Sequence, residues 1–180
     1  VLGCGTTQIQ SSWKDPSAGE IHFQKVAVFA LAKDPATRRI AEDTLVQGSP
    51  SGAVVASYTF VSDAELGDVE AVKRKVQEAG FDGAVVMRPV GTQTERTVVP
   101  GTPLPHFGAP YGSLWGYYGY GYPGAYTPDS VRIDRYVEVE TLVYSVPDQK
   151  LLWGARSETM NPASVNDLVD DVAKAAREDL

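Results

Sequence analysis

The first half of the chain alternates between short, predominantly apolar runs and segments with helical spacing of apolar residues. The apolar runs occupy residues 26–31, 53–60 and 83–90. Because these runs lack polar–apolar alternation, they predict strands buried on both faces. The segments between them begin with Asp34-Pro35 and Asp68, which are typical helix N-caps, and Gly80 suits a left-handed helix end. The pattern predicts β-α-β-α-β with neighbouring parallel strands.

The second half predicts a hairpin followed by a helix. Apolar and polar residues alternate over residues 137–144, a turn follows at 147–150, and a returning strand covers 151–158. A last helix begins at Asn161-Pro162 or at Ser164. The predicted fold class is therefore α/β (α+β), a single domain with a mixed sheet of about five strands in the order β-α-β-α-β-(long loop)-β-β-α.

The same periodicity predicts which side chains form the core. On the first helix, Ala41 and Leu45 are expected on the apolar side, and Arg38 and Glu42 on the polar side. Eight apolar residues are expected in the core, four from strands and four from helices. They are Val28, Val55, Val86 and Val139, with Val72, Val76, Leu168 and Val172.

Residues 1–20 are predicted to lie outside the folded domain, which is expected to cover residues 21–180. The chain reads Val-Leu-Gly-Cys up to Cys4, its single cysteine, and this is the pattern of a bacterial lipobox. The first three residues would then be the end of a signal peptide, and residues 5–20 a flexible polar tether. Gly5 occupies the position at which an Asp is typical of inner-membrane retention, so the outer membrane is favoured.

Composition excludes several function classes. The formal charge of −7 and a pI near 4.8 argue against nucleic acid as a partner. No apolar run reaches the roughly 18 residues of a membrane helix, so the membrane contact predicted is through lipid on Cys4. A single cysteine forms no internal disulfide and no cysteine-based zinc site. No metal and no cofactor are expected.

The order of these segments resembles periplasmic and outer-membrane lipoproteins of Gram-negative bacteria. The resemblance rests on the lipobox followed by KVAVFAL, ASYTF, AGFDGAVVMR, a Gly/Tyr-rich insert and VETLVYSVPDQKLLWGARSET. The element order is also similar to lipoproteins of the curli-secretion and penicillin-binding-protein-activator types. The resemblance implies a place in the cell envelope, at the periplasmic face of the outer membrane, and it supplies no catalytic residues to carry over to this chain.

An insert at residues 100–128 interrupts the pattern with prolines, glycines and aromatic residues. Tyrosine and glycine together supply amphipathic contact area on an adaptable backbone, as in recognition loops. The insert is therefore a candidate binding surface, although its aromatic residues could equally cover an exposed face of the sheet. The candidate residues are Phe107, Tyr111, Trp115, Tyr117, Tyr118, Tyr120, Tyr122 and Tyr126.

Other candidate chemistry is weak. The G-x-G-x-x-G match at residues 119–124 follows no strand and opens no helix, so it does not indicate a dinucleotide site. Ser113 lacks the glycine two residues before the serine that a nucleophile elbow requires. His22 and His106 have no metal ligands at suitable spacing. The acidic residues at 134, 138 and 140 could bind calcium, but a solvated sheet face explains them without a further assumption and is the preferred interpretation.

These observations favour a lipid-anchored envelope lipoprotein without enzymatic activity, a binding or assembly accessory whose partner is an envelope protein or glycan. It would act through a sheet edge or through the insert. The alternative is a glycan- or small-ligand-binding lipoprotein that uses the insert's aromatic residues. An envelope hydrolase is the third hypothesis, since no nucleophile, base and orienting group can be named.

Overall fold

The computed structural model of the protein describes residues 6–49, 52–100, 113–115, 118 and 130–180. Within them, six strands form one mixed sheet in the order β1-β6-β5-β4-β2-β3. The strands are β1 (Thr6–Lys14), β2 (Val26–Ala30), β3 (Val54–Ala56), β4 (Gly83–Val99), β5 (Ser130–Ser145) and β6 (Lys150–Met160). The helices are α1 (Pro35–Gln47), α2 (Val69–Glu78) and α3 (Val165–Asp179). The predicted fold class is confirmed, with six strands in place of five.

Contacts divide the chain into two units. The first comprises Val1–Gln93 with Arg135–Leu180, and it holds the three helices and most of the sheet. The second comprises Thr94–Asp134 and includes the end of β4 and the start of β5. No helix in the described part of the chain is long and apolar enough to cross a membrane.

The parallel half of the sheet consists of β3, β2 and β4. Strand β2 pairs in parallel with β3 on one side and with β4 on the other. The crossover from β2 to β3 and the crossover from β3 to β4 run in opposite directions across the sheet. Because right-handed crossovers are the rule, they place α1 and α2 on opposite faces of the sheet. Helices α1 and α3 cover the face that carries Ala30 and Met87, whereas α2 packs through Val76 against Ala27 on the other face.

The helix boundaries follow the predicted capping residues. The Thr37 backbone N–H donates to the Asp34 carboxylate at 2.7 Å, and the Ala71 N–H donates to Asp68 at 3.0 Å. Gly80 adopts φ +70°, a conformation that side chains with a Cβ rarely adopt. Ser164 caps α3, which decides between its two predicted starts.

The predicted tether is wrong for Thr6–Lys14. These residues form strand β1, which pairs antiparallel with β6 from Thr6 opposite Met160 to Lys14 opposite Trp153. The Thr7 and Thr159 hydroxyls hydrogen bond at 2.7 Å, and Ile9 packs against the cluster around Trp153. This polar segment is ordered because β6 offers it backbone partners on both sides of a register shift between Ile9 and Ser11.

Two predicted strand ends are also wrong. The second strand stops at Ala56, because Ser57–Thr59 form a 3-10 turn whose Tyr58 N–H donates to the Glu42 carboxylate at 3.0 Å. The third strand continues past residue 90 to Val99, since β5 lies beside it and begins as early as Ser130.

Half of the eight residues predicted for the core are fully buried. Four residues are buried, namely Val28, Val76, Val139 and Val172. The other four are partly buried, namely Val55, Val72, Val86 and Leu168. Of these, Val55, Val72 and Leu168 still pack against core clusters, whereas near the start of β4 the neighbouring Met87 occupies the core position. Strict alternation puts Val86 on the opposite face.

Candidate functional site

One face of the sheet is covered by α2 only around β2 and β3, and the rest of this face has no described helix over it. We call it the open face: the side of β1, β6, β5 and β4 that points away from α1 and α3. Trp13 lies on it at 50% exposure, and its backbone pairs with Gly154, which pairs in turn with Leu142. A Cβ at Gly154 would lie 2.9 Å from the Leu142 side chain, so glycine leaves room for the leucine beside the indole.

These residues surround a shallow groove of about 360 Å³ on the open face. Leu142, Leu151 and the Trp13 indole provide its apolar part. Ser11, Glu140 and Arg156 provide hydroxyl, carboxylate and guanidinium groups around that apolar part. The groove therefore offers an aromatic ring beside hydrogen-bonding groups of both signs.

The charges of the open face are paired within the protein. The Arg88 Nη2 atom lies 2.8 Å from the Glu140 carboxylate, and the Arg156 Nε atom lies 3.8 Å from it. The Gln93 side-chain amide donates to Glu138 at 3.0 Å. Because these pairs are mostly exposed, a binding partner can exchange their hydrogen bonds for its own at small cost.

A turn after β1 fixes the strand end that carries Trp13. The Asp15 carboxylate accepts hydrogen bonds from the Ser17 N–H and hydroxyl, both at 2.7 Å, and pairs with the Lys150 ammonium. The Lys150 hydrogen bond, followed by those from Ser17, lowers the Asp15 pKa to about 2. The Asp15 N–H donates to the Leu152 carbonyl at 2.8 Å. This turn thus links β1 to the β5–β6 hairpin.

A second group of charged residues lies in the interior, contrary to the predicted polar side of α1. Glu42 is fully buried and Arg38 is 3% exposed. The Glu42 carboxylate accepts from the Arg38 Nε atom at 3.1 Å, the Ser57 hydroxyl at 2.7 Å and the Ala30 N–H at 3.1 Å. Arg38 also donates to Asp63 at 2.9 Å. Because solvent does not reach Ser57 or Glu42, this network serves to connect α1, β2 and the 3-10 turn.

Most of the residues predicted for anchoring or binding lie outside the described residues. These are Cys4, Phe107, Tyr111, Tyr117, Tyr120, Tyr122 and Tyr126, together with His106. Trp115 and Tyr118 are described and exposed, the former at 77%, and their rings meet edge-to-face with centroids 6.3 Å apart. A binding role for the insert stays a prediction.

The acidic residues of β5 take different partners. Glu138 and Glu140 lie on the open face in the pairs described above, whereas Asp134 is buried and accepts from the Arg132 Nε atom at 2.8 Å. Among the residues that the structure describes, no group of three or more His, Cys, Asp or Glu side chains could hold a metal ion. His22 is exposed and lies 3.1 Å from Glu20.

Sequence reasoning missed Trp13 and the groove around it. The available signal was weak: Thr7, Ile9 and Trp13 are residue types enriched in strands, but they stand among polar residues. The backbone also shifts register between Ile9 and Ser11, which interrupts the alternation that would have marked the strand.

Comparison with family models and with curated proteins gave no significant match. Among solved structures, the chain is similar to a PelC dodecamer from Paraburkholderia phytofirmans, with 13% sequence identity and a TM-score of 0.44. A variant of the same PelC, also a dodecamer, gives 13% identity and a TM-score of 0.45. Both alignments cover 95% of this chain and 94% of the other.

Proposed function

We propose that the protein is a lipoprotein of the bacterial cell envelope, anchored through lipid on Cys4, that binds a partner protein through the open face. The observation that supports the anchor is the position of Cys4 in Val-Leu-Gly-Cys, two residues before strand β1 starts at Thr6. Two extended residues span at most ~7 Å. A lipid on Cys4 would therefore hold the start of β1 at the membrane surface.

The two ends of β1 lie at different distances from the proposed anchor. Strand β1 starts beside Met160 at the end of β6, and it ends beside Trp153. Seven residue steps separate Thr6 from Trp13, which is about 23 Å along an extended strand. The groove at Trp13 would thus be presented away from the anchored end, where a partner in the periplasm could reach it.

The composition of the groove supports a protein partner. Trp and Arg are the residue types most enriched among side chains that dominate binding energy at protein interfaces. Here Trp13 is half exposed between Arg156 and the apolar Leu142. A partner that buries the indole would gain apolar contact while its polar groups pair with Arg156 and Glu140. None of these roles requires catalytic chemistry, so we propose a binding or assembly accessory.

A glycan- or small-ligand-binding role is the second candidate function. The groove is concave and combines an indole ring with hydroxyl and carboxylate groups from Ser11 and Glu140. A sugar ring offers an apolar face to an aromatic side chain and hydroxyls to the surrounding polar groups. The same groove would then hold one or two sugar units rather than a protein side chain.

The anchor is tested in a Gram-negative host that expresses the protein with its native leader. We expect the wild-type protein in the outer-membrane fraction, with mass spectrometry showing a diacylglyceryl-modified Cys4. The matched Cys4→Ser variant should lack the lipid and leave the membrane fraction. Wild-type protein without modification, recovered in a soluble fraction, would contradict the anchor.

The binding surface is tested by photocrosslinking in intact cells. A photoreactive residue replaces Ser11 in the groove or, as a control, the exposed Ile40 on α1. We expect a discrete protein adduct at position 11 that Trp13→Ala removes, and none at position 40. Equal adducts at both positions would contradict the open face as the site, and an adduct resistant to protease would favour the glycan.

A further inference from the structure

A second cavity lies on the opposite side of the sheet from the groove, between α1 and α3. It has a volume of about 220 Å³ and lies under the C-terminal parts of both helices. Its inner walls come from buried apolar side chains of four strands. These include Val28, Met87, Val143 and Trp153. Leu180 and Arg177 are exposed and mark its mouth.

One polar atom interrupts this apolar wall. Thr141 lines the cavity from β5, between Val139 and Val143 on the covered face, and is 4% exposed. Its hydroxyl oxygen is buried without a hydrogen-bond partner among the described residues. A buried hydroxyl in this state costs free energy relative to one that is paired, so buried polar groups nearly always have a partner. The Thr141 hydroxyl is therefore placed to serve a molecule that enters the cavity.

The surroundings specify the charge of such a molecule. Among the residues that the structure describes, no acidic or basic side chain contributes to the inner walls, so a charged group there would be buried without a counterion. At the mouth, Arg177 donates to the Gly48 carbonyl at 2.9 Å, directly after the last turn of α1. Both helices thus turn their C-terminal ends, which carry partial negative charge, toward the mouth. A buried anion is therefore disfavoured at the inner walls, whereas at the mouth the Arg177 guanidinium offsets the charge of the helix ends.

We infer that this cavity binds a small uncharged molecule with an apolar body and one hydrogen-bonding group, such as an alcohol or an ester. The Thr141 hydroxyl would donate to that group or accept from it, since a hydroxyl does both. At about 30 Å³ for each water-sized volume, the cavity holds roughly seven heavy atoms. The ligand class is therefore a short-chain neutral amphiphile, and the inference is independent of the groove on the open face.

The experiment uses 1-hexanol as the probe and methyl NMR of the intact protein as the readout. We expect saturable shifts confined to methyl groups that line the cavity, including those of Leu45, Met87 and Val143. Sodium hexanoate, with the same chain length and a negative charge, should bind at least tenfold more weakly. Ala173→Leu, which fills the cavity from α3, should abolish the shifts.

Two variants of Thr141 isolate the hydroxyl. Thr141→Val keeps the shape of the side chain and should bind 1-hexanol about threefold to tenfold more weakly, the effect of one hydrogen bond. Thr141→Ser keeps the hydroxyl and should bind within about twofold of wild type. Thermal denaturation of both variants establishes that they fold.

Two results would overturn the inference. If Thr141→Val binds 1-hexanol as tightly as wild type, the hydroxyl has no part in recognition. If the shifts spread over the protein without saturating, or do not occur, the cavity takes up no such molecule and Thr141 is paired with water alone.

Discussion

Two tryptophans on adjacent strands show how differently the two faces of the sheet are used. Trp13 on β1 pairs with Gly154 on β6, and the next residue, Lys14, pairs with Trp153. Because side chains alternate between faces along a strand, the two indoles lie on opposite faces of the sheet. Trp153 is 1% exposed beneath α3, and its indole N–H donates to Asp179 at 3.1 Å. Trp13 is half exposed on the open face. The covered face stabilises the fold, and the open face leaves the same residue type available to a partner.

Truncating each tryptophan is expected to give the largest difference in unfolding free energy between the two faces. Trp153→Ala should lower the free energy of unfolding by about 3–5 kcal/mol, because it removes contacts with Val143, Ala155 and Ala176 and leaves a cavity. Trp13→Ala should cost less than about 1 kcal/mol, as expected for an exposed side chain. Urea denaturation of both variants measures this contrast. Similar losses in the two would mean that Trp13 belongs to the core.

Ion pairs provide a second test of the difference in stability between the buried interior and the open face. Glu42→Ala should destabilise the protein by about 3–5 kcal/mol, because the buried Arg38 loses the carboxylate partner on its own helix. The matched change on the open face, Arg88→Ala, breaks an exposed pair with Glu140 and should cost no more than about 1 kcal/mol. Chemical denaturation at neutral pH gives both values. A cost below about 1 kcal/mol for Glu42→Ala would contradict the buried network.

The smallest effect is expected from the pH dependence of the Asp15 turn. Its folded-state pKa, about 2, lies below the ordinary value of 3.8. The ionised carboxylate therefore stabilises the folded state above pH 3.8, and this contribution is lost as pH falls from 3.8 toward 2. Urea midpoints of wild type and Asp15→Asn should differ at pH 6 and converge near pH 2. A constant difference across this range would show that ionisation of Asp15 is not responsible.

The sequence predicted the parallel half of the sheet better than its edge. Apolar runs, the caps at Asp34 and Asp68, and Gly80 are local signals. The two caps and Gly80 appear where they were expected, and each apolar run contains a strand, although two of these strands end at other residues than predicted. Strand β1 has few such signals, because its order depends on pairing with β6 at the other end of the chain. The groove at Trp13 was missed for the same reason.

Arg38 and Glu42 were misplaced for a different reason. Charged residues are almost never fully buried unless paired, so helical periodicity alone assigns them to solvent. Their partners Ser57 and Asp63 follow 15–25 residues later, and a pattern confined to one helix does not include them. Burial of this pair is a property of the tertiary structure.

The pairing of β1 with β6 also constrains the order in which the protein folds. Thr7 and Thr159 hydrogen bond across 152 residues, so β1 must wait for a partner at the far end of the chain, and closing so long a loop is slow compared with forming local contacts. Strands β2, β3 and β4 with their two helices lie within one continuous stretch and can assemble during that time. The edge of β6 is therefore covered last, and any factor that binds an unpaired strand has its opportunity before β1 docks.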